Sequence, residues 1–432
     1  MNRSSLSLVA ASVLGLTVSG CSTLFPSDST NTGPTTSTGC MTTSPKHFAP
    51  GGYYVNGNTV CTPGGAAHQF HGVDRPSLEW SPTGQQLSPS DFGLMAGWKA
   101  NVVRIALNQD FWLAGSPIAD PNYPATVDAA VQWAEQAGMD VILDLHWSDA
   151  GVLGSCKSSC QQVMADANSI TFWSQVAATY KNDGRVLFEL YNEPHDISWT
   201  VWKSGGTTSG GWTAAGMQQL YDAVRATGAD NLVVIGGLNF AFDLSGVPMN
   251  RVTGYNILYA THPYGGSADK GPVAWDSGFG FLSKTDPVIM TEFGDGQECS
   301  GGSYTPAINT YVSALIAYAD QHLVNWTAWA WFDGGCSFPS LISDWAGTPT
   351  PPGMLVQTSL EGYNDPAPGG KRPGGTGVGG AGGAGAGGAA GASGAAGAGG
   401  GPDGGVGGAG GGVGGAGGGV GGAAGGLAGA AG

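Results

Sequence analysis

Val186-Leu187-Phe188-Glu189-Leu190-Tyr191-Asn192-Glu193-Pro194 is the stretch on which the reading of the fold turns. An apolar run of this length, stopped by Asn-Glu-Pro, reads as a strand buried on both faces that delivers a carboxylate at its C-terminal tip. The pattern recurs in Pro287-Val288-Ile289-Met290-Thr291-Glu292-Phe293-Gly294. Two strands ending in Glu suggest two carboxylates facing one cleft. A glycosidic bond breaks when one carboxylic acid protonates the leaving oxygen while a second carboxylate attacks the anomeric carbon. The retaining form of that reaction needs the pair roughly 5–5.5 Å apart. Either Glu alone serves as well for a rim salt bridge, so the weight falls on what ends the other strands.

Working outward, the same kind of short apolar run appears at Gln69–Val73, Val102–Ile105, Val141–His146, Leu232–Ile235, Ile257–His262 and Thr327–Trp331. Helix-like segments lie between the runs. Pro124 opens one at its first turn, Val127, Val131 and Ala134 form its apolar stripe, and Gly138 closes it. Ser169 to Lys181, Trp212 to Thr227 and Thr305 to His322 read likewise. Strands alternating with helices specify parallel βαβ units, and eight of them specify an α/β fold of one closed (β/α)8 TIM barrel. An open doubly wound sheet would want a Gly-rich phosphate turn after its first strand, and His71-Gly72-Val73-Asp74-Arg75-Pro76 is not one.

In such a barrel the C-terminal strand ends build the active face. Those ends carry Arg104, His146, Asn192 with Glu193, His262 with Tyr264, Glu292 and Trp331. Here the chain resembles glycoside hydrolase family 5, the cellulase family of retaining (β/α)8 enzymes, over roughly residues 47–350. The resemblance is carried by Val102-Val103-Arg104, Asp144-Leu145-His146, Tyr191-Asn192-Glu193-Pro194, His262-Pro263-Tyr264, Thr291-Glu292-Phe293-Gly294 and Trp329-Ala330-Trp331. It implies Glu193 as general acid/base and Glu292 as nucleophile. It further implies that Asn192 bonds the sugar 2-hydroxyl, that Arg104 and Tyr264 attend Glu292, that His146 and His262 line the subsite beside the cut, and that Trp331 stacks under that sugar. Two carboxylates this close disfavour double ionisation, so the one without a cationic neighbour, Glu193, is expected to keep its proton. Trp112, Trp147, Trp199, Trp202 and Trp275 fall in candidate loops of the same face, where aromatic rings stack on sugars.

The termini read differently. Arg3, an apolar segment from Leu6 to Val18 and then Val18-Ser19-Gly20-Cys21 make residues 1–20 an export signal, too short to span a bilayer. The segment resembles the lipobox of bacterial lipoproteins, which implies Cys21 as the lipid-bearing residue. Ser22, where an Asp would imply retention at the inner membrane, points to the outer membrane or cell surface, with plain secretion as the alternative. Residues 21–46 form a Ser/Thr/Pro-rich tether, 47–363 the catalytic barrel, and 364–432 a Gly/Ala-rich tail with too little side chain to offset the entropy of ordering. Six further cysteines in an exported chain suggest disulfides, expected as Cys40–Cys61, Cys156–Cys160 and Cys299–Cys336, with no metal site.

Acidic residues outnumber basic ones, 31 against 15, for a net charge of −16. Nucleic acid and anionic lipid repel such a chain, whereas a neutral polysaccharide does not. The expectation is a monomeric endo-acting hydrolase of β-1,4-glucan, needing no cofactor and touching membrane only through its lipid. A mannanase of the same chemistry and a non-catalytic carbohydrate-binding lipoprotein are the alternatives.

Overall fold

The computed structural model describes residues 39–40, 47–155, 160–265, 270–295, 299–300, 303–304 and 308–364. Eight parallel strands close on themselves in chain order: β1 (His71–Arg75), β2 (Val102–Asn108), β3 (Asp140–Trp147), β4 (Val186–Glu189), β5 (Val233–Gly236), β6 (Ile257–Thr261), β7 (Val288–Met290) and β8 (Asn325–Ala328). β8 returns to β1 through Trp326 opposite His71 and Ala328 opposite Val73. The expected barrel is therefore present, with several strands ending earlier than the sequence suggests. β4 stops at Glu189, not Glu193, β7 at Met290, not Glu292, and β8 at Ala328, not Trp331.

Period-two alternation sorts each strand between two layers. Val102, Ile142, Leu187, Val234, Leu258 and Ile289 point inward and pack together as one apolar layer. Their outward neighbours Val103, Leu143, Phe188, Val233, Tyr259 and Val288 pack in the larger core outside it. Two residues past the inner layer, the same parity places Arg104, Asp144, Glu189 and Thr291 in the barrel interior, all fully buried. The barrel thus has an apolar floor and a charged storey directly above it.

Helices pack around the strands: α1 (Pro89–Gly97), α2 (Tyr123–Gln136), α3 (Ala167–Tyr180), α4 (Met217–Ala226), α5 (Pro272–Gly278), α6 (Ile308–His322) and α7 (Pro351–Asn364). A three-stranded antiparallel sheet, Tyr54–Asn56, Thr59–Cys61 and Ala67–His68, precedes β1. Val60 of that sheet and Phe70 join the inner apolar layer and close the barrel's N-terminal mouth.

Cys40 and Cys61 form a disulfide as expected. Cys160 and Cys336 are disulfide-bonded too, while Cys156 and the side chain of Cys299 lie outside what is described. The export segment, Cys21, most of the tether and residues 365–432 of the tail also lie outside the described residues. Among the described residues no helix is long and apolar enough to cross a membrane.

Candidate active site

Glu193 stands in the segment that follows β4, and Glu292 two residues beyond β7. One oxygen of each, together with a ring nitrogen of His262, lies within a set of atoms no more than 4.8 Å apart. Both carboxylates reach solvent, with side-chain exposures of 14% for Glu193 and 6% for Glu292.

Each carboxylate is held at both oxygens. Glu292 accepts at Oε1 from Arg104 Nη1 at 2.8 Å and at Oε2 from the Tyr264 hydroxyl at 2.8 Å. Glu193 Oε1 lies 2.9 Å from His262 Nδ1, and its Oε2 accepts from Gln161 Nε2. Gln161 arrives on the segment after Cys160, which is tied to the loop behind Glu193 by the Tyr191 hydroxyl on the Gln162 carbonyl at 2.7 Å.

Arg104 is the hub of the charged storey. Its Nε meets Glu189 Oε2 at 2.5 Å, and its Nη2 meets Asn192 Oδ1 at 2.7 Å and Asp144 Oδ2 at 2.9 Å. Burial works against the guanidinium charge, yet Asp144, Glu189, Glu292 and Asp74 together raise its pKa well above the ordinary arginine range. Burial is the largest influence on Glu189 and pushes it up, but Arg104 and His262 together outweigh it and bring that carboxyl down to about 2. Glu189 is therefore a fixed negative charge beneath the cleft.

The histidines carry protons for the same reason. Burial opposes charge on His146, but Asp144 at 2.7 Å from Nδ1 raises it to about 9. Burial opposes charge on His262, but Glu292, Glu189 and Glu193 raise it to about 10. Glu193 is pushed up by burial and then held below the usual range by the bond and charge of His262. The expectation that Glu193 keeps its own proton because of Glu292 and Arg104 is thus corrected. The cationic neighbour that Glu193 was expected to lack is His262, and the proton is held between the two at 2.9 Å.

Of the residues expected at the site, Glu193, Glu292, Arg104, His146, Asn192, His262 and Tyr264 converge. His262 is fully buried behind Glu193, so it supports that carboxylate instead of lining the cleft. Trp147 is half-buried at the end of β3. Trp331 is a correction. It is fully buried, stands edge-on to Trp98 at 4.7 Å and donates from Nε1 to Asp91 at 2.8 Å, so no sugar reaches it. Because β8 ends at Ala328, the side chain that meets the site is Trp329, half-buried and stacked on His146 at 5.6 Å. Trp112, Trp202 and Trp275 are likewise core, and Trp199 is half-buried against Trp202.

Residues missed in the sequence are Glu189, Asp144 and Thr291 as parts of the charged storey, and Gln161. Glu189 had a signal, since it interrupts an otherwise apolar run at the parity of Leu187. Gln161 had none, because a loop residue's direction is not periodic. Glu193, His262 and Glu292 are also the one trio among the described residues whose donor atoms could close on a metal ion. All three already have hydrogen-bond partners, and Arg104 supplies the positive charge at Glu292.

A (β/α)8 barrel with a paired acid and carboxylate at its C-terminal face is the architecture of a glycoside hydrolase. Residues 57–335 match the cellulase family, glycosyl hydrolase family 5, and the chain belongs to that family. It is 25% identical over 267 residues to Endoglucanase N of Pectobacterium atrosepticum, covering 61% of this chain and 54% of that one. With Endoglucanase C of Evansella cellulosilytica it shares 24% over 338 residues, 70% of this chain and 39% of that one. The chain thus spans about half the length of the curated relatives it matches. A β-glucanase of Saccharophagus degradans has the same fold, with a TM-score of 0.60 at 23% identity over 76% of this chain and 95% of that one. So does the catalytic domain of a Thermobifida fusca endoglucanase solved with cellotetraose, with a TM-score of 0.56 at 18% identity over 72% of this chain and 97% of that one.

Proposed function

We propose that the protein is a retaining endo-β-glycanase acting on β-1,4-linked glucan by double displacement. The observation that supports this most is the approach of Glu193 and Glu292 oxygens to within 4.8 Å. That is too close for the water an inverting enzyme must seat between its carboxyl groups and near the roughly 5–5.5 Å of retaining ones. The glucan preference rests on the relatives, which are named endoglucanases.

In the first step a proton passes from the Glu193–His262 pair to the glycosidic oxygen, the bond from that oxygen to the anomeric carbon breaks, and Glu292 bonds to that carbon. Glu292 suits attack because Arg104 and Tyr264 each hold one of its carboxylate oxygens in place. In the second step Glu193 takes a proton from water, whose oxygen displaces Glu292 and restores the starting anomer. Asn192, fixed at Oδ1 by Arg104 and with its amide nitrogen 3.4 Å from His146 Nε2, has a second amide hydrogen for a sugar hydroxyl, and Trp329 offers a ring beside His146.

Proton NMR of fresh products from a cello-oligosaccharide tests the reading, with β product expected first. Initial α product would overturn it. Glu292→Ala should lose several orders of magnitude in turnover and, with azide, give a glycosyl azide of inverted configuration. Reducing-sugar release from mannan but not from carboxymethylcellulose would move the substrate to the mannanase alternative.

A further inference from the structure

Beneath the reacting pair runs a chain of buried hydrogen bonds that the two displacement steps do not use. Thr291 donates its hydroxyl to Glu189 Oε1 at 2.6 Å. The same Thr291 oxygen lies 2.9 Å from His262 Nε2, and His262 Nδ1 lies 2.9 Å from Glu193 Oε1. Glu189, Thr291 and His262 are all fully buried, so water cannot substitute for any link.

Directionality follows from what each group can do. An ionised carboxylate only accepts. Glu189, bonded to Arg104 at 2.5 Å, is such a carboxylate, so the single Thr291 hydrogen points to it. The Thr291 oxygen is then left as an acceptor, and His262 must donate to it from Nε2. With that proton fixed, a neutral His262 presents a bare lone pair at Nδ1 to Glu193. We propose that Glu189 and Thr291 are positioning residues that lock one His262 proton on Nε2, so that the catalytic proton is the one shared between Nδ1 and Glu193. This rests on the assignment of Glu193 as the acid/base.

The lock has a chemical consequence. If the shared proton leaves, a lone pair and a carboxylate face each other at 2.9 Å, so the site keeps that proton to higher pH than either group would alone. Without the lock, the ring can move its remaining proton to Nδ1, donate it to the Glu193 carboxylate and relieve the repulsion. Other charges facing the pair are Glu292, 3.7 Å from His262 Nδ1, with His146 and Asp74 at longer range and Tyr264 against Glu292. Thr291→Val leaves every one of these in place.

The test is the pH dependence of kcat/KM for Thr291→Val and Thr291→Ser on cello-oligosaccharides. The valine variant should lose its basic limb about one pH unit lower, a tenfold loss on the alkaline side with the acidic plateau largely kept, since one unit is a factor of ten in proton affinity. The serine variant should restore the limb. A uniform loss at every pH, or an unmoved limb, would overturn the lock. Should the valine variant not fold, 15N NMR of the His262 ring in the parent decides the matter. Nε2 must stay protonated on both sides of the titration, and an Nδ1–H tautomer at high pH would overturn the proposal. Glu193→Gln, assayed on aryl cellobiosides with good and poor leaving groups, keeps the underlying assignment separate. Equal losses on both would remove Glu193 as the acid, whereas a loss confined to poor leaving groups with an unmoved limb in Thr291→Val would sink the lock alone.

Discussion

Trp331 fills a closed space between Trp98 and Asp91, with no exposed surface, while Trp329 is only half-buried, stacked on His146 and tilted against Phe338. The two rings therefore answer to different measurements. Trp331→Ala removes a fully buried indole and leaves Asp91 short of a donor, which should cost about 3–5 kcal/mol of stability. Chemical denaturation should show this as a lowered midpoint, with KM little changed in whatever protein remains folded. Trp329→Ala should leave the midpoint within about 1 kcal/mol and raise KM for cello-oligosaccharides severalfold, as expected where a ring contributes stacking area to substrate. Isothermal binding to a Glu292→Gln background would confirm it without turnover. The sequence shows two tryptophans of equal parity at this strand end. Choosing between them requires knowing that the strand stops at Ala328, and strand ends are where sequence patterns carry least information.

At the scale of elements, what was legible is what is periodic. The alternation of inward and outward residues places eight strands and most of the catalytic set, because the same parity that buries Val102 aims Arg104 upward. The loop after β3 is not periodic, and its form is set by buried carboxylates instead. Asp166 caps α3, accepting at Oδ1 from Asn168 N at 2.8 Å and Ser169 N at 3.2 Å, and its Oδ2 accepts from Gly151 N at 2.9 Å. Asp149 accepts from Ser155 N at 3.1 Å and from Gln109 Nε2 at 3.2 Å. These contacts stitch the loop that ends in Gln161 to the barrel. Loss of a helix cap typically costs about 0.5–2 kcal/mol, and Asp166 also serves a second backbone donor. Asp166→Ala should therefore lower stability by about 2 kcal/mol and, by loosening the loop, lower kcat/KM as well. Asp166→Asn, which keeps an acceptor for the cap, should recover most of the stability. Urea melts of the two variants beside their kcat/KM values check both parts.

At the scale of the whole molecule, the chain enters the barrel from the end opposite its chemistry. The Cys40–Cys61 disulfide and the bond from Asn56 Nδ2 to the Gly39 carbonyl at 2.7 Å fix the incoming segment to the small sheet at the N-terminal mouth. Glu193 and Glu292 stand beyond the C-terminal ends of their strands. We propose that a lipid on Cys21 would join the molecule to the membrane through the segment that arrives at this mouth, on the side of the barrel away from the cleft. Lipid attachment is a matter of acyl length, since each buried methylene contributes about 0.8 kcal/mol and stable anchoring takes more than one chain. The net charge of −16 gives no help from anionic lipid, so attachment of this kind would rest on the acyl chains alone. Radiolabelled palmitate should enter the full chain in a bacterial host, and the glucanase activity should sediment with the membranes. Cys21→Ser should take up no label and release the activity to the soluble fraction with unchanged kcat/KM on a soluble oligosaccharide, while hydrolysis of an insoluble glucan by intact cells should fall. Unlabelled parent protein, or activity equally soluble in both, would show that Cys21 is not the anchor.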